Sequence, residues 1–299
     1  MAGLRLPDGR QLGFAEYGDR GGVPCFYFHA TPGSRLDPAV LFARSPVTLK
    51  GIRLVAVDRL GFGLSDRQPG REFGDFPADV AAVADHLGID RFAVVGLSGG
   101  GGYALACAYA IPGRLSVAVV VSGMTPVSQP EERRGLAVGN RVVYRLAGSA
   151  PRLAQAIMAL LFRMTILALK RSERSPRGAM GLPFAPEVLA DPRLRPLVIA
   201  GLNEAVIRPG ARGLVDELAL YGRRWDIRLE GIETAVCLWH GDSDVNAPTA
   251  RARAVAAAIP RCRAVFVAGG HTAPLACLDD IFEPVRATMG RAPDRRAHR

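Results

Sequence analysis

One serine lies in the pattern G-x-S-x-G, formed by residues 96–100. The apolar run 92–95 precedes this motif and the small-residue segment 101–111 follows it, so a strand is expected to turn into a helix at the serine. Such a turn exposes the hydroxyl of Ser98 and directs the backbone N–H of Gly99 towards a developing negative oxygen. The context predicts a serine nucleophile, and a glycine-rich turn without chemistry is the alternative.

A serine hydroxyl needs a base within hydrogen-bond reach, and that base needs a third group to orient it. His271 directly follows the last predicted strand, and His240 follows the strand before it. Asp242 and Asp244 come next after His240. Because the carboxyl ends of parallel strands meet at one edge of a sheet, these groups are expected near Ser98. The sequence therefore predicts acyl transfer, with His271 or His240 as base and either aspartate as the orienting group.

Short apolar runs alternate with helical patterns in the parts of the chain that carry these residues. A hairpin is predicted over residues 1–17, with further strands at 24–30, 53–58, 92–95, 117–122, 235–239 and 263–267. Helices are predicted at 37–49, 77–87, 101–111, 248–259 and 275–289. Buried strands separated by helices of this length indicate a mainly parallel sheet with helices on both faces.

The alternation stops at residue 125 and returns near residue 230. Within this interval the apolar positions 153, 157, 160, 161, 164 and 167 follow helical spacing, with further apolar residues around the other face. A helix that is apolar nearly all round must be covered, here by the main domain, a partner subunit or lipid. Gln155 and Arg163 interrupt the stretch 153–169, which is therefore predicted to fall short of a membrane-spanning helix.

The formal net charge of +10 raises the possibility of nucleic-acid binding, but the basic residues are scattered and few aromatic residues lie among them. All but Lys50 and Lys170 of the 38 basic residues are arginine, as in a solvated, arginine-rich surface.

The five cysteines have no CxxC spacing and are expected to be free thiols in a reducing compartment. No apolar signal segment is seen at residues 1–8, so a cytoplasmic location is expected. No metal-ligand, phosphate-loop or dinucleotide motif is present, which predicts no cofactor and no metal.

Taken together, the motifs resemble those of the α/β-hydrolase fold superfamily. They are the serine motif at 96–100, the loop HATPGS at 29–34, and the loop DRLGFGLSD at 58–66, similar to that family's D-x-x-G-x-G-x-S. The turn GDSD at 241–244, followed by Pro248, and the pair Gly270 and His271 complete the set. The resemblance implies an α/β-hydrolase fold: a mostly parallel eight-stranded sheet with helices on both faces and an inserted helical cap. The core is expected at residues 1–124 and 231–290 and the cap at 125–230, with a basic, disordered tail at 291–299.

The resemblance also implies roles for individual residues. Ser98 matches the nucleophile, His271 the general base and then acid, and Asp244, because of Pro248, the orienting carboxylate, with Asp242 as the alternative. Two backbone N–H groups, those of Thr31 and Gly99, match the oxyanion hole, and the supporting residues are His29, Gly96 and Gly100. Ala30 stands where the family usually has glycine, and alanine disfavours a positive φ.

The implied function is a serine hydrolase that forms an acyl-enzyme on Ser98 from an ester, thioester or amide of a small to medium, apolar small-molecule substrate. A substrate pocket is predicted in the cap, lined by Ile157, Leu161, Met164 and Trp225, with Phe162 and Phe184 contributing. The alternatives are a non-hydrolytic, C–C bond cleaving or lyase-like enzyme of the same fold, or a catalytically silent ligand-binding member. A homodimer is possible on this interpretation, and stable membrane insertion is not expected.

Overall fold

A computed structural model describes residues 2–43, 45–171, 188 and 191–288. Its eight-stranded sheet has the order β1-β2-β4-β3-β5-β6-β7-β8. β1 and β2 pair antiparallel, β2 pairs antiparallel with β4, and all other pairs are parallel. The predicted sheet is thereby confirmed. The strands are β1 Ala2–Arg5, β2 Gln11–Gly18, β3 Val23–Phe28, β4 Ile52–Val57, β5 Phe92–Leu97, β6 Leu115–Val121, β7 Val236–Gly241 and β8 Cys262–Val267.

The α-helices of the described residues lie between and after these strands. They are α1 Asp37–Leu41, α2 Phe76–His86, α3 Gly101–Ala110, α4 Val138–Ser149, α5 Pro151–Arg171, α6 Arg195–Leu202, α7 Arg212–Tyr221, α8 Thr249–Ala258 and α9 Leu278–Arg286. A 3-10 turn, Ser98–Gly100, joins β5 directly to α3. The order of strands and helices therefore places Ser98 at the carboxyl end of a central strand.

The central strands are apolar without alternation because both of their faces are buried. In β3, Phe26 and Phe28 pack into one core cluster, whereas Cys25 and Tyr27 pack into a second cluster on the opposite face. Helices α2 and α3 contribute to the first cluster, and α9 covers the second face with three buried residues, among them Phe282. The sheet is thus held between two layers of helices, which fixes the loops at its carboxyl edge.

The helix predicted over residues 37–49 is wrong in its extent. Helix α1 ends at Leu41, and a separate 3-10 turn, Pro46–Leu49, follows. Pro46 has no backbone N–H to donate, and it disfavours the helical conformation at Ser45, the residue before it. One periodic apolar segment is therefore divided into two short turns.

Helices α4 to α7 lie between β6 and β7 and share a core of their own. Most of their buried residues form a third cluster that includes Val40 and Phe62, whereas Leu220 and Tyr221 of α7 belong to the first cluster. The described residues of this interval contain no strand. The boundaries drawn at residues 125 and 230 stay a prediction, and the expected tail 291–299 and Phe184 lie outside the described residues.

Helix α5 is longer than the sequence analysis expected of this segment. It runs for 21 residues, and by length and composition it is the one helix among the described residues that could cross a membrane. The prediction that residues 153–169 fall short was wrong in this respect, because the helix tolerates Gln155 and Arg163 within an otherwise apolar stretch. The buried residues of this helix lie on the side that packs against α6 and α7. They are Ala154, Met158, Phe162, Ile166 and Leu169.

Candidate active site

The turn that carries Ser98 has an unusual backbone conformation. Ser98 has a φ of 52°, in the left-handed region that a residue with a side chain rarely adopts. Glycines around it allow the chain to approach closely: a Cβ on Gly96 would stand 2.9 Å from Gly101 Cα, and one on Gly100 would stand 2.9 Å from the carbonyl oxygen of His29. Side chains at these two positions would force the turn apart, so the glycines of the motif are a steric requirement.

Three side chains from three strand ends form one hydrogen-bonded chain. His271, which follows β8, places Nε2 2.9 Å from Ser98 Oγ. Its Nδ1 lies 2.7 Å from Oδ2 of Asp244, which follows β7. A carboxylate at Nδ1 keeps the proton on that nitrogen and leaves Nε2 free to accept the serine proton. The arrangement can therefore deprotonate Ser98 and return the proton later.

Asp244 is the acidic residue that the structure brings to His271. Burial acts to raise the pKa of Asp244, but the hydrogen bonds of His240 and His271 hold it well below its usual value, so the group is charged at neutral pH. Its Oδ1 accepts hydrogen bonds from the N–H groups of Asn246 at 2.8 Å and Ala247 at 3.0 Å. These contacts fix the carboxylate against rotation.

The two alternative residues occupy other positions. Asp242 is exposed, and its Oδ1 accepts a 3.0 Å hydrogen bond from the N–H of Gly269. His240 is buried, with Nε2 2.7 Å from the carbonyl oxygen of Ala247 and 3.3 Å from Asp244 Oδ2. His240 therefore contacts the carboxylate of Asp244, and Asp242 binds the backbone of the loop before His271.

Sequence reasoning missed Ser122, which stands at the end of β6. Its φ is 47°, and its hydroxyl donates a 2.7 Å hydrogen bond to the carbonyl oxygen of His271. The backbone of His271 is thus attached to a neighbouring strand end. A lone serine after a strand offers no sequence signal for this role.

The loop at residues 29–34 is braced from inside the protein. His29 is fully buried: its Nε2 accepts a 3.1 Å hydrogen bond from the N–H of Arg59, which leaves Nδ1 to donate to the carbonyl oxygen of Ala30 at 2.8 Å. Burial, with the nearby Arg59 charge, lowers the pKa of His29 well below its ordinary value, so the ring is neutral. Among the described residues only Ser98 and Ser122 combine a side chain with a positive φ. Ala30 therefore replaces glycine without strain.

Thr31 and Gly99, the two predicted oxyanion-hole residues, lie against each other. A Cβ added to Gly99 would overlap the hydroxyl of Thr31. The N–H of Gly99 belongs to the first turn after Ser98 and so has no acceptor within the helix. Its carbonyl oxygen accepts a 2.9 Å hydrogen bond from the hydroxyl of Tyr221 in α7. Gly99 is thereby held between the loop at residues 29–34 and helix α7.

A buried ion pair supports Thr31, and sequence reasoning did not find it. Arg59 and Glu217 are both fully buried; Arg59 Nε donates to Glu217 Oε2 at 3.0 Å and Nη2 to Oε1 at 2.5 Å. Arg59 Nη2 also donates to Thr31 Oγ1 at 2.8 Å, and the Thr31 hydroxyl donates to Glu217. Glu217 belongs to α7, so a helix from the interval between β6 and β7 orders the loop after β3.

The carboxylate of this cluster has more than one partner. Glu217 alone would oppose an oxyanion, because its Oε1 would lie 3.2 Å from a Cβ on Gly99. Arg59 pairs with Glu217, and the buried Arg71 places Nη2 3.6 Å from Glu217 Oε2. Tyr103 donates a further 3.1 Å hydrogen bond to the same oxygen. Arg59 and Arg71 therefore offset the charge of Glu217.

The predicted substrate-pocket residues are not brought together. Ile157, Leu161 and Met164 lie on the outer side of α5 with exposed fractions between 36 and 59%. Trp225 packs instead against Phe73 of the core, with ring centroids 6.1 Å apart. Side chains so exposed do not line an enclosed pocket, and the helical spacing that suggested the role does not say which side of the helix faces inwards. Phe162, on the inner side of α5, is buried.

Within the described residues, no group of three or more His, Cys, Asp or Glu residues could hold a metal ion. Cys107 is buried in α3, and burial raises the pKa of its thiol well above the ordinary value. A thiol in that state is a packing group rather than a nucleophile.

Known proteins share this architecture and part of the sequence. A family model described as alpha/beta hydrolase fold matches residues 26–141. A non-heme chloroperoxidase of Streptomyces lividans is 36% identical over 131 residues, 42% of this chain and 46% of that protein. A bifunctional esterase/perhydrolase of Acinetobacter calcoaceticus is 33% identical over 105 residues, 34% of this chain and 37% of that protein. The chain thus spans less than half the length of the curated relatives it matches.

Solved structures match over nearly the whole chain. The crystal structure of a putative aryl esterase from Burkholderia cenocepacia gives a TM-score of 0.67 at 22% identity, and the match covers 97% of this chain and 99% of that chain. At this level of identity the likeness concerns the fold. The fold is therefore common to both chains, whereas the substrate has to be argued from the site.

Removing the charge of Arg59 is expected to destabilise the protein. In Arg59→Met, the buried Glu217 keeps only its longer 3.6 Å pairing with Arg71, and the broken buried ion pair is expected to lower the free energy of unfolding by about 3–5 kcal/mol. The double variant Arg59→Met/Glu217→Met removes this pair but leaves the buried Arg71 without Glu217, so it is expected to recover only part of that loss. Urea unfolding of the three proteins measures this. A single variant as stable as the original chain would contradict the assigned pairing.

Asp37 is expected to make stability depend on pH. It is buried at the start of α1 and accepts hydrogen bonds from the N–H groups of Ser34 and Ala30 at 3.1 and 3.4 Å; burial raises its pKa to about 7. The folded chain thus holds a proton that the unfolded chain loses near pH 4, so this contribution to stability is full below about pH 4 and is lost as pH rises to about 7.

The measurement is the difference in unfolding free energy between the original chain and Asp37→Asn, taken from pH 4 to pH 8. The difference is expected to shift against the original chain as pH rises to about 7 and to level off above it. A difference that stays constant over this range would contradict the raised pKa.

Proposed function

Since this chain has the α/β-hydrolase fold, we propose that it is an enzyme, a serine hydrolase that acts through an acyl-enzyme on Ser98. The observation that carries the proposal is the hydrogen-bond chain from Asp244 through His271 to Ser98, with distances of 2.7 and 2.9 Å. Nucleophile, base and orienting carboxylate are in contact without any rearrangement, which is the geometry that acyl transfer requires.

In the first step His271 Nε2 takes the proton of Ser98 while Oγ attacks the carbonyl carbon of the substrate. Asp244 stabilises the imidazolium that forms and keeps its orientation. His271 then gives the proton to the leaving alcohol, thiol or amine, and the acyl group stays on Ser98. In the second step a water molecule gives its proton to His271, attacks the acyl carbon and releases the acid, and Ser98 regains its proton.

The negative oxygen of each tetrahedral intermediate is assigned to the N–H groups of Gly99 and Thr31. Their carbonyl and hydroxyl groups are held by Tyr221 and Arg59, so the two N–H groups are fixed before the substrate binds. Donors that need no reorganisation contribute most to such catalysis, and the loss of one typically costs on the order of 10²–10³ in kcat.

The substrate we propose is an ester, thioester or amide with a small to medium, apolar acyl group. The support for this class is compositional, because the described residues between β6 and β7 are rich in apolar side chains, among them Phe162. Cofactor-free chemistry and a cytoplasmic location fit the proposal.

A second candidate concerns the acceptor of the acyl group. One relative bears the name esterase/perhydrolase, and two others are named for haloperoxidase activity. If hydrogen peroxide replaces water, its oxygen attacks the acyl carbon, the bond to Ser98 Oγ breaks, and a peroxy acid leaves. Only the acceptor differs, so this candidate uses the same Ser98, His271 and Asp244.

The hydrogen-bond chain from Asp244 through His271 to Ser98 is tested by replacing its residues with close analogues. Ser98→Ala is expected to reduce hydrolysis of a p-nitrophenyl ester to the background rate. Asp244→Asn is expected to lower kcat by about 10⁴-fold, because an amide at that place favours the wrong tautomer of His271. The matched control is Asp242→Asn, which alters the neighbouring acid. It is expected to retain activity within about tenfold, or 1.4 kcal/mol, because an amide oxygen can still accept the hydrogen bond from the N–H of Gly269.

Two outcomes would contradict the proposal. Undiminished activity in Ser98→Ala would favour the non-nucleophilic, C–C bond cleaving or lyase-like alternative, and the absence of turnover with every acyl substrate would favour a ligand-binding protein. A larger loss in Asp242→Asn than in Asp244→Asn would transfer the orienting role to the other acid.

The substrate class is tested with p-nitrophenyl esters of increasing acyl length. A preference above acetate is expected, because each buried methylene contributes about 0.8 kcal/mol to binding in an apolar site. The measurement is kcat/KM across the series at one pH. A value that is highest for acetate and falls steadily with length would contradict the apolar acyl site.

A further inference from the structure

The outer side of α5 carries an apolar surface that nothing in the described chain covers. Of the ten large hydrophobic side chains that are exposed among the described residues, six lie on this one helix. Single exposed hydrophobic residues are ordinary, but a contiguous group on one element indicates an interaction surface. We call the group the α5 outer face; it consists of Leu153, Ile157, Leu160, Leu161, Met164 and Leu167.

The positions of these residues make one continuous stripe. With a turn of about 100° per residue, the six fall within an arc of about 120° along the length of the helix. The opposite side, which carries Met158 and Phe162, packs against α6 and α7 within the cap. The inner side of α5 is therefore packed within the protein, and no described residue covers the outer side.

Basic residues lie along one edge of this apolar stripe. From residue 133 to residue 172 the sequence contains no aspartate or glutamate, whereas it contains eight arginine and lysine residues. Arg152, Arg163 and Lys170 fall within about 20° of one another on the helix, along one edge of the apolar arc. All three are exposed, and none of them forms an ion pair within the described part of the chain.

These charges decide between the possible partners. A second copy of the chain would bring one basic stripe against another, with no acidic residue in the segment to pair with it. A partner that is apolar in its interior and anionic at its surface would satisfy both the stripe and its edge. An anionic phospholipid bilayer has this chemistry, and apolar helices edged with arginine and lysine lie in its headgroup region.

We propose that the α5 outer face docks this protein on an anionic phospholipid bilayer, with α5 parallel to the membrane plane. The packing of the inner side against α6 and α7 excludes a spanning orientation in the folded chain, because a spanning helix would have to leave those contacts. Arg163, in the middle of the helix, would then lie at the level of the phosphates rather than in the hydrocarbon. The docking is peripheral and is independent of the chemistry at Ser98.

The proposal is tested by sedimentation of the full chain with vesicles. Binding is expected to vesicles of phosphatidylcholine mixed with phosphatidylglycerol and to be weak with phosphatidylcholine alone. Each basic residue at the surface is worth about fivefold in partitioning, so Arg163→Glu is expected to reduce binding by more than tenfold. Leu160→Glu/Met164→Glu is expected to abolish it. The matched control is Arg20→Glu, which makes the same charge change at an exposed site in the turn between β2 and β3.

Circular dichroism of each variant, together with hydrolysis of a soluble ester, shows that the chain remains folded. Failure of the original chain to bind the anionic vesicles would overturn the proposal, as would equal loss of binding in Arg20→Glu. Equal binding to neutral vesicles would overturn the anionic requirement, and retention on the vesicles after an alkaline carbonate wash would overturn peripheral docking. If light scattering shows a dimer that Leu160→Glu/Met164→Glu dissociates, the α5 outer face is a protein interface instead.

Discussion

The left-handed backbone of Ser98 is the constraint on which the rest of the site depends. A residue with a side chain held at a φ of 52° carries strain of about 1–3 kcal/mol, and it persists only where the surroundings leave no alternative. Here the close approach of the chain at Gly96 and Gly100 leaves none. The N–H of Met124 also binds the carbonyl oxygen of Ser98 at 2.9 Å. Because the turn cannot relax, the hydroxyl stays at the carboxyl edge of the sheet, where the loops after β7 and β8 deliver Asp244 and His271.

The second requirement is electrostatic, and it links the cap to the core. Glu217 comes from α7 and Arg59 from the loop after β4, and the pair fixes the hydroxyl of Thr31 beside Gly99. A buried carboxylate so close to an oxyanion would disfavour it, and the cations of Arg59 and Arg71 offset its charge. The proposed oxyanion hole is therefore a product of two segments that are distant in the chain. Replacement of Gly by Ala30 leaves this arrangement intact, since residue 30 needs no positive φ.

The sheet and the relay could be predicted from sequence because their signals are local. Strands buried on both faces give continuous apolar runs, and the G-x-S-x-G turn stands between one such run and a helix. Arg59 and Glu217 could not be paired in this way, since 158 positions separate them and neither position is periodic. Periodicity identified α5 as a helix, but it does not tell which side faces the cap, so Ile157, Leu161 and Met164 were assigned to a pocket although they face outwards. The break at Pro46 likewise overrides the apolar pattern of residues 37–49.

The most direct test of the account is covalent labelling of the native protein with a fluorophosphonate, which reacts with an activated serine. Peptide mapping by mass spectrometry then locates the adduct. One adduct per chain is expected, on the peptide that contains Ser98, and no adduct after heat unfolding, since activation of the serine depends on the folded hydrogen-bond chain. A folded chain that remains unlabelled, or one labelled at another serine such as Ser122, would contradict it.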